Sequence, residues 1–342
     1  MNALTVLGKY LDQPKLVKHF SQAVPAILVL GSVGFSLNEM RKAPKEKKND
    51  VFIKNVAVLT GTITSAIFAP KIAAKIVKGQ HDCHCHHHHG EETAELITNF
   101  IKENLVTTKV AQYLEEAKTK ILSPKKIKTI FTELEQNPKA KEFLSGEEGL
   151  IPDPENIDSK HIFGEIGRLS VMGLIPVLGG IAGGIAGDRI TEKDWKEKIP
   201  NKVKEGSYQY LANIFLCNIG AGIALLAMEK TKVKSKAARA IAMVGGILLT
   251  GLVGGSAAAN YIGKVIINPL FKIKDENYKL FSERKPEAID AGLHVDDIAT
   301  VAVLSGLKWI EPSLPILYSI SGYRAGIGYR NGEHKAAGQL SS

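Results

Sequence analysis

Residues Ser207–Met228 read SYQYLANIFLCNIGAGIALLAM, 22 residues without one Asp, Glu, Lys or Arg. An α-helix rises about 1.5 Å per residue, so a run of this length covers about 30 Å, the thickness of a bilayer's hydrocarbon core. Outward from it, Ala240–Gly263 holds 24 uncharged residues, while Leu169–Gly187 and Phe20–Asn38 hold 19 each. Asn55–Pro70 holds only 16, and reaches spanning length by continuing to Val77 with Lys71 and Lys75 snorkelling towards headgroups. A sixth region, Ile298–Tyr323, is interrupted by Lys308 and Glu311.

Five such blocks exceed what the buried helices of a soluble all-helical protein require, since those average about 11 or 12 residues. The expected fold is all-α: a multi-pass transmembrane helical bundle of five or six hydrophobic elements, packed through glycine, with a polar helical insert. The expected organisation is an N-terminal hairpin over 1–80, a His/Cys-rich loop over 81–90, the insert over 91–160 and a C-terminal bundle over 161–342.

The formal net charge of +9 is spread unevenly. Positions 91–160 hold 10 basic and 14 acidic residues, a net of −4, which leaves +13 elsewhere. That excess sits at the ends of the apolar blocks, where it would meet anionic headgroups of the lipid bilayer, the expected partner. No basic stripe interleaved with aromatics occurs, so nucleic acid is not an expected partner. Three cysteines exclude a disulfide-stapled secreted module. Lys9, Lys15 and Lys18 precede the first block, but that leader is long for a signal peptide and no small-x-small site follows, so the first span is expected to be retained. No arginine precedes Arg41, against a mitochondrial presequence. The expected location is the cytoplasmic membrane. Orientation stays open, because basic links both precede and follow the fourth block: Arg189, Lys193, Lys196, Lys198, Lys202 and Lys204 on one side, Lys230, Lys232, Lys234, Lys236 and Arg239 on the other.

Within the insert, Leu96, Ile97, Phe100, Ile101, Val106, Val110, Leu114, Ala117 and Ile121 recur at helical spacing and predict one amphipathic helix, with Glu91, Glu92 and Glu95 at its N-terminal end. Ser123 and Pro124 read as N-cap and first-turn proline of a second helix running to about Glu135. Three short helices bury little alone, so the insert is expected to pack on the spans, the membrane surface or a partner. In the third block Gly179, Gly183 and Gly187 form one row and Gly180 and Gly184 another; Gly251 and Gly255 repeat the device in the fifth. Such rows let helix backbones approach closely, within the chain or in a homo-oligomer. Pro176–Gly187 also matches Pro315–Gly326 at six of twelve positions.

The one chemically dense motif is His81, Asp82, Cys83, His84, Cys85, His86, His87, His88 and His89. Imidazole and thiolate are preferred ligands of zinc, nickel and copper, the candidate cofactors. Adjacent ligands cannot all reach one ion and the spaced pairs of a structural zinc site are missing, so a loose, multi-register binder is expected. Lys308 and Glu311, three apart, are a candidate intramembrane pair, with Pro312 and Pro315 marking a break. Asn213, Asn218 and Asn260 are candidate polar groups within spans, expected to hydrogen-bond across helices or to contact substrate. Cys217 reads as a small buried residue. No phosphate-binding loop, dinucleotide fingerprint, nucleophile elbow or H-E-x-x-H motif occurs, so no enzyme activity is expected. Three functional classes remain: transport or permeation, a non-catalytic membrane scaffold or assembly protein, and metal handling.

Overall fold

The computed structural model describes residues 6–7, 10–11, 13–77, 107–136, 159–231, 236–273, 284–287, 290 and 308–330. Every regular element among them is helical. The principal helices are α1 (Pro14–Lys42), α2 (Lys48–Ile76), α3 (Thr108–Thr119), α4 (Pro124–Glu135), α5 (Ser159–Thr191), α6 (Trp195–Lys230), α7 (residues 236–270) and α8 (Leu314–Ile327). Five of these, α1, α2, α5, α6 and α7, are long and apolar enough to cross a membrane. Their charges follow the helix dipole: Asp50 lies in the first turn of α2, while Arg41 and Lys42, Lys75, and Arg189 lie in the last turns of α1, α2 and α5.

The outward faces of these helices are apolar. Leu30, Ile76, Ile190, Ile241, Leu249 and Leu270 are each more than 60% exposed. In water, surface of this kind drives association, whereas a hydrocarbon solvent satisfies it.

The chain divides into two compact units. The first comprises 1–24, 79–158 and 302–313. Here α3 and α4 bury Val110, Leu114, Leu122, Ile127, Ile130 and Phe131. Gln13, just before α1, clasps the loop between them reciprocally: its Nε2 donates to the Leu122 carbonyl at 3.1 Å and its Oε1 accepts from the Leu122 N–H at 2.6 Å. The described part of the insert, α3 and α4, is thus tied to the residue that precedes α1. The single helix expected through Ile121 is corrected in its described part, which runs only from Thr108 to Thr119, because Thr107 is extended (φ −57°, ψ 147°) and its side chain caps the Val110 N–H; the part before Thr107 and the third short helix lie outside the described residues. Ile121 points to solvent and Leu122 takes the buried place. The second helix runs as expected, Pro124–Glu135.

The second unit comprises 25–78, 159–301 and 314–342, and its boundary falls at Pro25, inside α1. Its centre is α5, antiparallel to α2 and parallel to α8. A methyl group on Gly179 or Gly183 would strike the Gly61 or Ala57 carbonyl of α2, and one on Gly180 or Gly184 would strike the Gly322 or Gly326 carbonyl of α8. Both glycine rows of the third block are thus occupied within the chain, backbone against backbone. The two similar segments Pro176–Gly187 and Pro315–Gly326 are the two sides of one such seam. Helices α6 and α7 repeat the arrangement at Gly220 and Gly246, where the Thr250 hydroxyl donates across to the Leu216 carbonyl at 2.7 Å.

Helix α6 is continuous over its 36 residues, so the basic links before and after the fourth block lie at its opposite ends and no re-entrant turn separates them. It is interrupted in type only, by a π-helical turn at Leu211–Phe215; α7 carries two more, Leu248–Gly255 and Gly263–Ile267.

Candidate functional site: a buried ion cluster and the polar stripe behind it

Glu205 lies in α6 just ahead of the uncharged block and has no solvent exposure. A bare carboxylate there would be strongly unfavourable, and the structure supplies cations from two later parts of the chain. Arg284 Nε stands 3.2 Å from Glu205 Oε2, and Arg330 reaches the same oxygen at 3.4 Å. The Arg284 fork also holds Asp290 at 2.6 Å, and Asp290 receives Arg324 of α8 at 2.9 Å. Arg324 in turn holds Glu287 at 3.2 Å, to which the Tyr329 hydroxyl donates at 2.8 Å. Among the described residues, three arginines meet three carboxylates. The Arg284 guanidinium lies 4.2 Å from the centre of the Tyr208 ring and Arg324 lies 4.4 Å from that of Tyr329. Asn260 donates to the Arg284 carbonyl at 3.0 Å, fixing the segment that carries it.

Outside the candidate spans, burial works against the charge of Arg284, but Glu205 and Asp290 outweigh it and the guanidinium is held above its ordinary value. Burial, reinforced by Glu287, raises the Tyr329 phenol above its usual 10.

Behind Glu205 a polar stripe runs along α6 into the bundle. Gln209 Nε2 donates to Glu205 Oε1 at 2.8 Å, and Asn213 Nδ2 donates to Gln209 Oε1 at 3.0 Å. These residues are four apart, one α-helical turn. Asn218 follows after five, and the intervening π turn, with its i→i+5 period, keeps it on the same face. All four side chains are buried, over about 20 Å of helix. Facing them is α5: a methyl on Gly222 would meet Ile166 and one on Gly173 would meet Ile214, an antiparallel register that sets Ser170 level with Asn218. Asn213 Oδ1, both polar atoms of the Asn218 amide and Ser170 Oγ have no hydrogen-bond partner among the described residues. Each such group carries a cost of about 1–3 kcal/mol unless a mobile partner meets it.

Of the residues singled out in the sequence, Asn213 and Asn218 therefore share one stripe, and Asn260 belongs to the ion cluster at its end. The expected bonds across helices are not what they make. Asn213 bonds within its own helix and Asn260 to its own helix and a loop carbonyl. Cys217 is fully buried, as expected. Glu311 lies half-buried in the 3₁₀ turn Lys308–Ser313 of the first unit; the residues before Lys308, the Lys308 side chain and with it the proposed pair lie outside the described residues. The tract 81–89 also lies outside them, and among the described residues no three His, Cys, Asp or Glu side chains are grouped to hold a metal. Glu205, Arg284, Asp290 and Arg324 escaped the sequence reading. The signals available were the four-residue spacing of Glu205, Gln209 and Asn213 and an arginine within the apolar segment Gly322–Tyr323–Arg324–Ala325.

No protein-family model, curated protein or solved structure matches the chain.

Proposed function

We propose that the chain is a multi-pass protein of the cytoplasmic membrane that lets a small polar species pass along α6. One observation carries this reading: a buried polar stripe, Glu205–Gln209–Asn213–Asn218, whose inner half keeps unmet donors and acceptors where a purely structural core would have apolar side chains. Water or a hydroxylated or amide solute supplies the missing partners, and the π turn that aligns Asn218 with Asn213 is a feature enriched at functional sites. The ion cluster forms one end of the stripe. The tract at 81–89 stands in this reading as an accessory binder of zinc, nickel or copper.

A second reading is supported by the backbone-to-backbone seams of α2, α5 and α8: a rigid scaffold that conducts nothing. A homo-oligomer would then need a face other than the glycine rows of α5, which the chain already uses.

Proteoliposome flux separates the two readings, with urea and glycerol swelling and a trapped pH dye as probes. Asn218→Leu is expected to abolish flux that the wild-type chain shows, while raising or preserving thermal stability. Wild-type vesicles no leakier than empty ones would leave the scaffold. Zinc titration of the intact chain against one with 81–89 replaced by Gly and Ser tests the metal proposal.

A further inference from the structure

A second charged cluster lies in the same unit, on residues that the polar stripe does not use. The ammonium groups of Lys198, Lys54 and Lys202 alternate with the carboxylates of Glu192 and Asp188: Lys198 and Lys54 both pair with Glu192, Lys54 stands 3.6 Å from Asp188, and Lys202 stands 2.9 Å from Asp188. Among the described residues three cations meet two anions here, an excess of one positive charge. The Lys202 side chain is only 3% exposed, so it cannot carry its charge out into water, and that of Lys54 is 28% exposed. Lys54 also stands within electrostatic reach of both other lysines. Of this cluster, Lys54, Lys198, Lys202 and Asp188 line a hollow of about 170 Å³. A water molecule's share of liquid volume is about 30 Å³, so the space admits several waters or one polyatomic anion. Asn55 forms part of its wall; its oxygen is taken by the Tyr323 hydroxyl at 2.8 Å, which leaves its NH₂ group as a further donor. Val51, Val58 and Ile327 complete the lining with apolar surface.

We propose that this hollow binds a phosphate group bearing net negative charge, with an anionic lipid headgroup as its source. The surplus charge and the clustered ammonium donors select an anion, and lysine binds phosphate as a point charge. The level favours lipid. The hollow is built from the first three turns of α2, the first two of α6 and the last turns of α5 and α8, near the ends of the candidate spans α2, α5 and α6. The same end carries the basic link that includes Arg189, Lys193 and Lys196. The apolar part of the lining suits the glycerol and first methylenes of the same molecule.

The test is equilibrium binding to the full-length chain in neutral detergent. Short-chain phosphatidic acid, phosphatidylcholine and inorganic phosphate are the probes. Saturable binding of phosphatidic acid is expected, weakened about ten-fold in Lys198→Gln and in Lys54→Gln and unchanged in the exposed control Lys196→Gln. Lys198 is about half exposed, so its variant keeps the test valid should Lys54→Gln fail to fold. Phosphatidylcholine binding as tightly as phosphatidic acid, or a folded Lys198→Gln chain binding phosphatidic acid like the wild type, overturns the proposal. Inorganic phosphate binding as tightly as phosphatidic acid keeps the phosphate site and overturns the lipid source. None of these outcomes depends on flux along α6.

Discussion

Glu205 and Arg284 are 79 positions apart in the chain and 3.2 Å apart in space, and neither has any solvent exposure. The pair joins α6 to a segment that contributes only a few described residues, and Asp290, Arg324 and Arg330 close the network around it. Removing one member leaves its partners charged and buried, the expensive way to break such a pair.

Arg284→Ala and Glu205→Gln should therefore each lower stability by about 3–5 kcal/mol, read as a fall in melting temperature in detergent. Arg284→Lys should recover little of it, because an ammonium cannot hold Glu205 and Asp290 with one planar fork. A melting temperature unchanged in Arg284→Ala would show that the network bears no stabilising role.

Gly180→Leu should destabilise strongly, since its first side-chain carbon already meets the Gly322 carbonyl, whereas Gly31→Leu on α1, where nothing lies within 4 Å, should be tolerated. Equal expression and melting of the two variants would contradict the seam between α5 and α8.

Cys217 offers a chemical reading of the same packing. In a Cys83→Ser, Cys85→Ser background the remaining thiol is fully buried and should resist maleimide until the bundle melts. Rapid labelling of the native protein would mean that α6 is open at that level.

Tyr329 should titrate above its ordinary 10, since burial and Glu287 both oppose the phenolate. A raised folded-state value means that its contribution to stability is complete below pH 10 and fades as pH climbs through the folded value. The phenolate absorption difference between wild type and Tyr329→Phe measures this, and a transition at or below pH 10 would contradict the contact with Glu287.

The long helices were legible because their length and lack of charge are properties of contiguous residues. Block Ser207–Met228 sits inside α6, and Ala240–Gly263 inside α7. Which neighbour each helix takes was less legible. Helix α5 is apolar nearly all round, so only its glycine rows marked contact faces, and they could not say whether Gly322 or another copy of the chain lay opposite. The ion cluster was hidden for a different reason. Glu205 and Lys202 read as ordinary members of a charged link, and their burial depends on residues 284–330, far away in sequence. The π turns leave no mark in composition, so the alignment of Asn218 with Asn213 had to come from the backbone.

The separation between Glu205 and its arginines also bears on how the protein is made. Glu205 leaves the ribosome 79 residues ahead of Arg284, and Arg324 and Arg330 come later still. Until then the acid is a hydrophilic terminus on an otherwise greasy segment, and α6 cannot be sealed among its neighbours without stranding a charge in oil. Biogenesis must keep that acid protonated or in contact with water until residues 284–330 are translated, which makes that later segment the latch of α6.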